Sequence, residues 1–379
     1  MSTDLVHRID ALRLVDHHVH SSLCVPVTRQ EFETLITESD RPIPAGTTTF
    51  DSQVGFAIRR HCAPLLGAAQ HASPDEYWRV RASRTPAELT QVFLTGSGTG
   101  HWLVDTGFMG DRLTPLAELA DLTRTRVSEV VRLETVLEDI APGSTAAGLE
   151  RDFRTALADA AASAVGLKSV VAYRHGFDID PARPSGPEVA QAAARWLGTL
   201  NDDSPPRVTD PVLLRMILWA GVDAGLPLQV HAGFGDPDLD LRRSDPLLLA
   251  PWIKAVESSG TDIVLLHCYP FHRGAGFLAH AFPHVYFDVG LALNYSGAAA
   301  AAVVAESLEL APFAKILYSS DAWGPPELHY LGAVLWRAGM TRTLTRWVAE
   351  REWSESDAVR VATMIGRTNA QRLYGLSDD

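Results

Sequence analysis

Four short apolar runs in this chain each end on residues able to hold a metal or move a proton. Leu12 to Val15 leads into Asp16-His17-His18-Val19-His20, and Pro227 to Val230 into His231-Ala232-Gly233. Val264 to Leu266 leads into His267-Cys268-Tyr269-Pro270, and Ile316 to Tyr318 into Ser319-Ser320-Asp321. Zinc and its neighbours take neutral imidazole and carboxylate as ligands, and a catalytic site leaves one position for water or substrate. His18, His20, His231 and Asp321 offer three nitrogens and one carboxylate for that purpose. His267 is a further ligand, the general base, or a group that polarises a substrate carbonyl, since imidazole does base work near neutral pH without a large shift. Asp321 has a second duty open to it, taking the proton from water that a metal has made more acidic.

A second set of residues lies within reach of the same strand ends. Lys168 and Arg174 place a basic residue near each end of the run Leu167 to Arg174. A lysine there, carboxylated by carbon dioxide, would be a bridging ligand for two metals. Lys168, however, stands before the most apolar part of its run, away from the expected exit. Arg174, with His175 beside it, stands at that exit, and its guanidinium fork suits a substrate carboxylate. The alternative is a solvated arginine at a loop start. Asp236 and Arg242 follow His231 through Gly233 and Gly235, Tyr269 follows His267, and Trp323 follows Asp321, so these four are candidate pocket residues. For the stretch Asp236 to Arg243 a plain surface charge run is the competing reading.

The elements that must position these groups are strands feeding one sheet edge. Alternation along a strand has period two, so His18 and His20 project to the same side. Further strands are expected at Trp102 to Asp105, Val127 to Val136, Leu167 to Arg174, Leu226 to Val230, Ile263 to Leu266, Val285 to Val289 and Lys315 to Tyr318. Helical stretches Leu149 to Ala164, Pro184 to Leu200 and Pro211 to Ala224 alternate with them, the pattern of βαβ units around a parallel sheet. About eight strands favour a distorted, closed (β/α)8 barrel in one domain over residues 1–379, with chemistry at the C-terminal ends of the strands. Residues 26–110 have poor periodicity and several short helical pieces, and are expected to form a helical insertion or lid over the mouth. Thr95 to Gly100 is glycine-rich but lacks the spacing of a phosphate loop, and is expected to be a turn.

Composition bounds the rest. The chain has 379 residues, 46% hydrophobic and 21% charged, with a formal net charge of −13, so it has a sizeable core and no background attraction to nucleic acid or an anionic membrane. Cys24, Cys62 and Cys268 are too dispersed for a disulfide framework or zinc knot. The charged N-terminus is no signal peptide, and no apolar run is long enough to span a bilayer, which points to the cytoplasm. The expected partner is a small-molecule substrate; a homo-oligomer is an open assembly.

Taken together, His18-Val19-His20, Gly166 to Arg174, Pro227 to Asp236, His267 to Pro270, Tyr286 to Gly290 and Ser319 to Asp321 resemble the amidohydrolase superfamily, in its amidohydrolase-related family 2 branch. Within that branch the chain is similar to the amidohydrolase half of nodulin-like proteins fused to a glutamine-synthetase-like domain. The resemblance implies a (β/α)8 barrel of the metal-dependent hydrolase type. It also implies a divalent metal, zinc or alternatively manganese, held by His18, His20, His231 and Asp321, with His267 catalytic or a further ligand. The activity implied is hydrolysis of an amide C–N bond in a small carboxylate-bearing substrate, with γ-glutamyl-type amides suggested by the fusion partner. The chain ends at Asp379, so no synthetase-like domain is expected. Relatives also perform non-oxidative decarboxylation of aromatic or unsaturated acids, which is the alternative; a metal-containing barrel kept as a structural or interaction protein is another.

Overall fold

In the computed structural model, which describes residues 3–201 and 203–377, seven parallel strands follow one another in chain order around a curled sheet. They are β1 (Leu14–Val19), β2 (Thr99–Asp105), β3 (Arg126–Arg132), β4 (Gly166–Ser169), β5 (Leu228–Ala232), β6 (Ile263–His267) and β7 (Val285–Phe287). Helices return the chain between them, several of them started by local chemistry. Before β5, for example, Asp210 accepts the Val212 amide at 2.9 Å, Pro211 opens the helix Pro211–Ala224, and Gly225 ends it at a φ of +75°. Acceptor side chains at the start and a left-handed glycine at the end satisfy backbone groups that helix termini leave free.

Alternation along the strands divides the apolar residues between two cores. Leu14, Trp102, Val131, Leu167, Leu228, Leu265 and Phe287 face outward into the large core shared with the helices. Val15, Leu103, Val130, Val264, Leu266, Tyr286 and Leu317 face inward and pack with Ala370 and Tyr374 into a separate cluster that fills the barrel. The barrel is therefore a packed body, plugged from below by the last turns of the chain. Each fully buried Val or Leu contributes roughly 1.5–3 kcal/mol.

Two strand expectations need correction. The run Leu167 to Arg174 is not one strand: β4 stops at Ser169 and Val171–Arg174 is a helical turn. The Glu134 carboxylate accepts the Val170 amide at 3.0 Å and Ser169 Oγ accepts the Val171 amide at 3.2 Å, so both leave the ladder in spite of their β-branched side chains. Lys168 thus stands one residue from the strand exit, not upstream of it. Likewise β3 ends at Arg132, and Glu134 belongs to the helix Leu133–Ile140.

The expected eighth strand is also absent as a ladder. Residues 316–324 run between β7 and β1, with Leu317 N donating to Phe287 O at 3.0 Å, Asp321 N to His18 O at 3.2 Å and His20 N to Ala322 O at 2.9 Å. Other backbone groups there are taken by side chains: Asp16 accepts the Ser320 amide at 3.0 Å and Asn369 donates to Ile316 O at 2.8 Å. Asp321 itself has a φ of +46°, which no strand accommodates. The seam is bridged without regular pairing.

Between β1 and β2 the chain forms the short helices Arg29–Leu35, Gln53–Ala57 and Pro74–Arg81, a π-helical turn Ile58–Cys62, and the helix Pro86–Gly96 that returns to the sheet. The glycine-rich stretch is the turn into β2, with Gly98 at a φ of +68°. No helix among the described residues is long and apolar enough to cross a membrane.

Candidate metal centre

A register irregularity in β1 between Asp16 and Val19 turns two adjacent histidines into the barrel. His17 points down and His18 points up; alternation then returns His20 to the same side as His18. His18 Nε2 lies 3.0 Å and His20 Nε2 3.7 Å from Asp321 Oδ1, and all three residues are buried. His267 Nε2 lies 3.1 Å from the other carboxylate oxygen. His231 completes the group, its ring 4.7 Å from that of His267 and 4.5 Å from that of Tyr173.

The outer hydrogen bonds fix which ring nitrogens are bare. Gln229 Nε2 donates to His17 O and to the Tyr374 hydroxyl, both at 2.8 Å, so its Oε1 is the atom facing His18 Nδ1 at 2.7 Å. That oxygen only accepts, so Nδ1 carries the hydrogen and Nε2 keeps its lone pair. The Asp105 carbonyl does the same to His20 Nδ1 at 3.1 Å. Both bare nitrogens lie beside Asp321, and that of His18 also faces Lys168 Nζ at 3.1 Å. Orientation of a ligating imidazole through its second nitrogen is the usual supporting arrangement of metal sites.

The residues present fit a divalent ion. His231 Nε2, His267 Nε2 and Asp321 Oδ1 are buried and make no hydrogen bond within the protein, although His18 and Asp321 atoms are within hydrogen-bonding distance. His18, His20 and Asp321 each bring one ligand atom within 4.8 Å of the others, and His231 and His267 stand beside that set. Burial lowers the His18, His231 and His267 pKa values well below normal and His20 to about 4, so all four rings are neutral, while burial pushes Asp321 up to about 7. A buried carboxylate without a hydrogen-bonded partner is costly unless a cation neutralises it. The tight cluster His18, His20 and Asp321 can hold a divalent metal. Lys168 Nζ lies 3.1 Å from His18 Nε2, at the same point, and burial lowers its pKa to about 8.

Strain marks the same place. His267, Cys268 and Asp321 all have positive φ without being glycine, at 67°, 57° and 46°. Asp288 holds the first in place by accepting the His267 amide at 2.9 Å. Strained backbone persists where surrounding contacts over-determine it. Gly235 is required by close approach: a Cβ there would stand 1.9 Å from the Tyr173 hydroxyl and 3.2 Å from His231 Nε2.

A cavity of about 330 Å³ opens beside this cluster. Of the expected pocket residues, Arg174, Asp236 and Trp323 line it; His175, Arg242 and Tyr269 do not. Arg242 pairs with Asp240 in solvent, its side chain 91% exposed, and Tyr269 stacks on His272 outside. Three residues with no strong sequence signal also line the cavity: Glu38, Arg132 and Arg207. Glu38 comes from the segment after β1, accepts the Tyr295 hydroxyl at 2.7 Å, and has its pKa raised to about 7 by burial, helped by the nearby Asp321. Nothing in its sequence surroundings marked it. Arg132 pairs with buried Asp105 at 2.6 Å, and Asp105 ends an apolar strand in the same manner as the four runs first noticed.

Comparison with known proteins agrees with this architecture. The chain is 29% identical to Protein fluG of Emericella nidulans over 417 aligned positions, covering 99% of this chain and 47% of that protein, so it spans about half the length of this curated relative. Among solved structures it superposes with a TM-score of 0.84 on one from Lactobacillus casei ATCC 334 named "putative metal-dependent hydrolase", at 27% identity over 98% of this chain and 97% of that one. A uronate isomerase from Bacillus halodurans shares the fold, with a TM-score of 0.68 at 11% identity over 99% and 96% of the two chains. The amidohydrolase family model matches residues 137–376, a span that takes in Lys168, His231, His267 and Asp321 and leaves His18 and His20 upstream, and on that match the chain belongs to the amidohydrolase family.

Proposed function

We propose that the chain hydrolyses an amide C–N bond in a small carboxylate-bearing substrate at a divalent metal held by His18, His20, His231 and Asp321. The observation that carries this reading is the tight group His18, His20 and Asp321, with unpartnered buried atoms on Asp321, His231 and His267, beside a cavity lined by charges of both signs. A bound divalent ion, zinc or manganese, supplies Lewis acidity toward water and a carbonyl oxygen. Asp321 accepts the proton of the attacking water and delivers it to the departing amine. His267, 3.1 Å from Asp321 Oδ2, supports that carboxylate and faces the reacting carbonyl. Lys168 reaches the same point and is a further ligand if carboxylated.

A γ-glutamyl head carries both an ammonium and a carboxylate. The cavity has Arg132, Arg174 and Arg207 for the carboxylate, and Glu38 and Asp236 for the ammonium. Arg174 is held by Glu138 at 3.1 Å and its buried Nε makes no hydrogen bond in the protein, which leaves a directed donor for a substrate carboxylate. Phe108 and Trp323, edge to face at 5.3 Å, form an apolar wall for the leaving group. The segment after β1, which delivers Glu38, acts as the lid. Relationship to nodulin-like fusion proteins is part of the same reading, supported by the half-length match.

The test is a screen of γ-glutamyl amides and small aromatic acids with and without chelator, with metal content measured on the same protein. Amine release that stops on chelation and returns with zinc or manganese is expected. Carbon dioxide release without amine would replace hydrolysis by decarboxylation, and turnover of neither class would overturn both.

A further inference from the structure

A second cavity, about 420 Å³, shares no lining residue with the first. It lies among the π-helical turn Ile58–Cys62, the segment 297–301 and the helix Pro326–Ala349. Its charged lining is of one sign. Arg59, Arg60 and Arg342 face it with His61 and His71, and no aspartate or glutamate does, in a chain with 46 acidic against 33 basic residues.

The two cavities treat their arginines differently. In the first, Arg132, Arg174 and Arg207 are paired with Asp105, Glu138 and Asp238. In the second, among the described residues, Arg59, Arg60 and Arg342 form no ion pair. Exposed arginines usually need none, since water serves them. Arg59 is the exception, because its Nε is buried and makes no hydrogen bond, which is a cost the fold leaves uncompensated. Its guanidinium lies 4.9 Å over the ring of Phe56, itself 52% exposed beside the cavity. Cation and ring are thus presented together.

We propose that this cavity binds a small organic phosphate, its phosphate gripped by Arg59, Arg60 and Arg342 and its organic part lying on Phe56, Leu335 and Ala301. Three guanidinium forks and two imidazoles offer more donors than the two oxygens of a carboxylate use, whereas a phosphate presents three oxygens and about two charges. The volume is that of a site for a small organic molecule rather than a bare ion. The occupant also bears on the first cavity. Leu291 lines the first, Tyr295 holds Glu38 there, and Gly297 to Ala301 line the second, all within one short segment pinned by the Gln53 side chain accepting the Ala298 amide at 3.1 Å.

Calorimetric titration of the whole protein with phenyl phosphate, inorganic phosphate and benzyl alcohol tests this. Phenyl phosphate is expected to saturate one site per chain, with inorganic phosphate about tenfold weaker and benzyl alcohol silent. Arg59→Met with Arg342→Met, neither of which lines the first cavity, should weaken phenyl phosphate about tenfold or more. Arg342→Gln alone, at an exposed position, should weaken it in the same direction if the double variant does not fold. Absence of saturable binding, undiminished binding in a folded variant, or benzyl alcohol binding as tightly overturns the site; inorganic phosphate binding as tightly overturns the organic ligand.

Discussion

Two polar layers are stacked inside this barrel, built from the same residue types and equally buried, and they differ in one respect. In the lower layer every polar side-chain atom of His17, Asp288, Gln229 and Tyr374 has a partner: His17 bonds Asp288 at 3.0 Å and the Tyr374 hydroxyl at 3.1 Å, and Asp288 also takes two backbone amides. In the upper layer His231 Nε2, His267 Nε2 and Asp321 Oδ1 have none within the protein. The lower layer is structure, complete in itself. The upper is complete only with something added. Burial and residue type alone do not separate these two layers; the unsatisfied atoms of the upper one do.

The comparison is open to breaking, and the largest expected effect comes from Asp321→Asn. Turnover should fall about 10³-fold while the melting temperature of metal-free protein holds or rises, because Asp321 is a buried carboxylate whose Oδ1 makes no hydrogen bond within the protein. Loss of folding in step with turnover would place Asp321 in the lower layer after all.

Gln229→Leu tests the contact between layers. It frees His18 to rotate and strips partners from His17 O and the Tyr374 hydroxyl. Metal affinity, read by competition with a chromophoric chelator, should drop roughly 10- to 100-fold. Stability should fall by about 1–3 kcal/mol.

How much of this contrast could be read in advance varies by residue. His18 and His20 were legible because spacing of two at a strand exit admits one geometry. The bulge that also turns His17 inward was not, since nothing in Asp16-His17-His18 says where register slips. Lys168 was misplaced because Val170 and Val171 have strand-like side chains, and only Glu134, distant in sequence, overrides that preference by taking the Val170 amide. The eighth strand was over-read from the apolar run Ile316 to Tyr318, whose backbone is satisfied partly by Asp16 and Asn369 instead of a ladder. Glu38 was invisible: its place depends on a Tyr295 hydroxyl that no local pattern announces.

Asp16, beneath the seam, gives a pH-dependent sharpening. Burial raises its pKa from 3.8 to about 8, so between these values the folded state keeps a proton that the unfolded state has released. Stability therefore decreases as pH rises through that window, and levels off above it. Denaturant titrations across the window should show a slope that is less steeply downward in Asp16→Asn than in the native protein, the remainder coming from Asp321 and Glu38, both raised to about 7. A slope that is undiminished by the substitution would assign the Asp16 share of the linkage to another group.

The smallest effect belongs wholly to the lower layer. Tyr374→Phe removes one hydroxyl shared by His17 and Gln229, and should cost about 1 kcal/mol in chemical denaturation with turnover unchanged. A large fall in turnover would mean that the layers are not separable.

The irregular seam sets an order in time as well as in space. β1 supplies His18 and His20 near the start of the chain, yet the backbone beside it is residues 318–324, and the hydroxyl under His17 is that of Tyr374. On a ribosome adding about 5–20 residues per second, the two histidines wait tens of seconds for the carboxylate that stands beside them. The seam beside β1 therefore cannot form before residues 318–324 have been made.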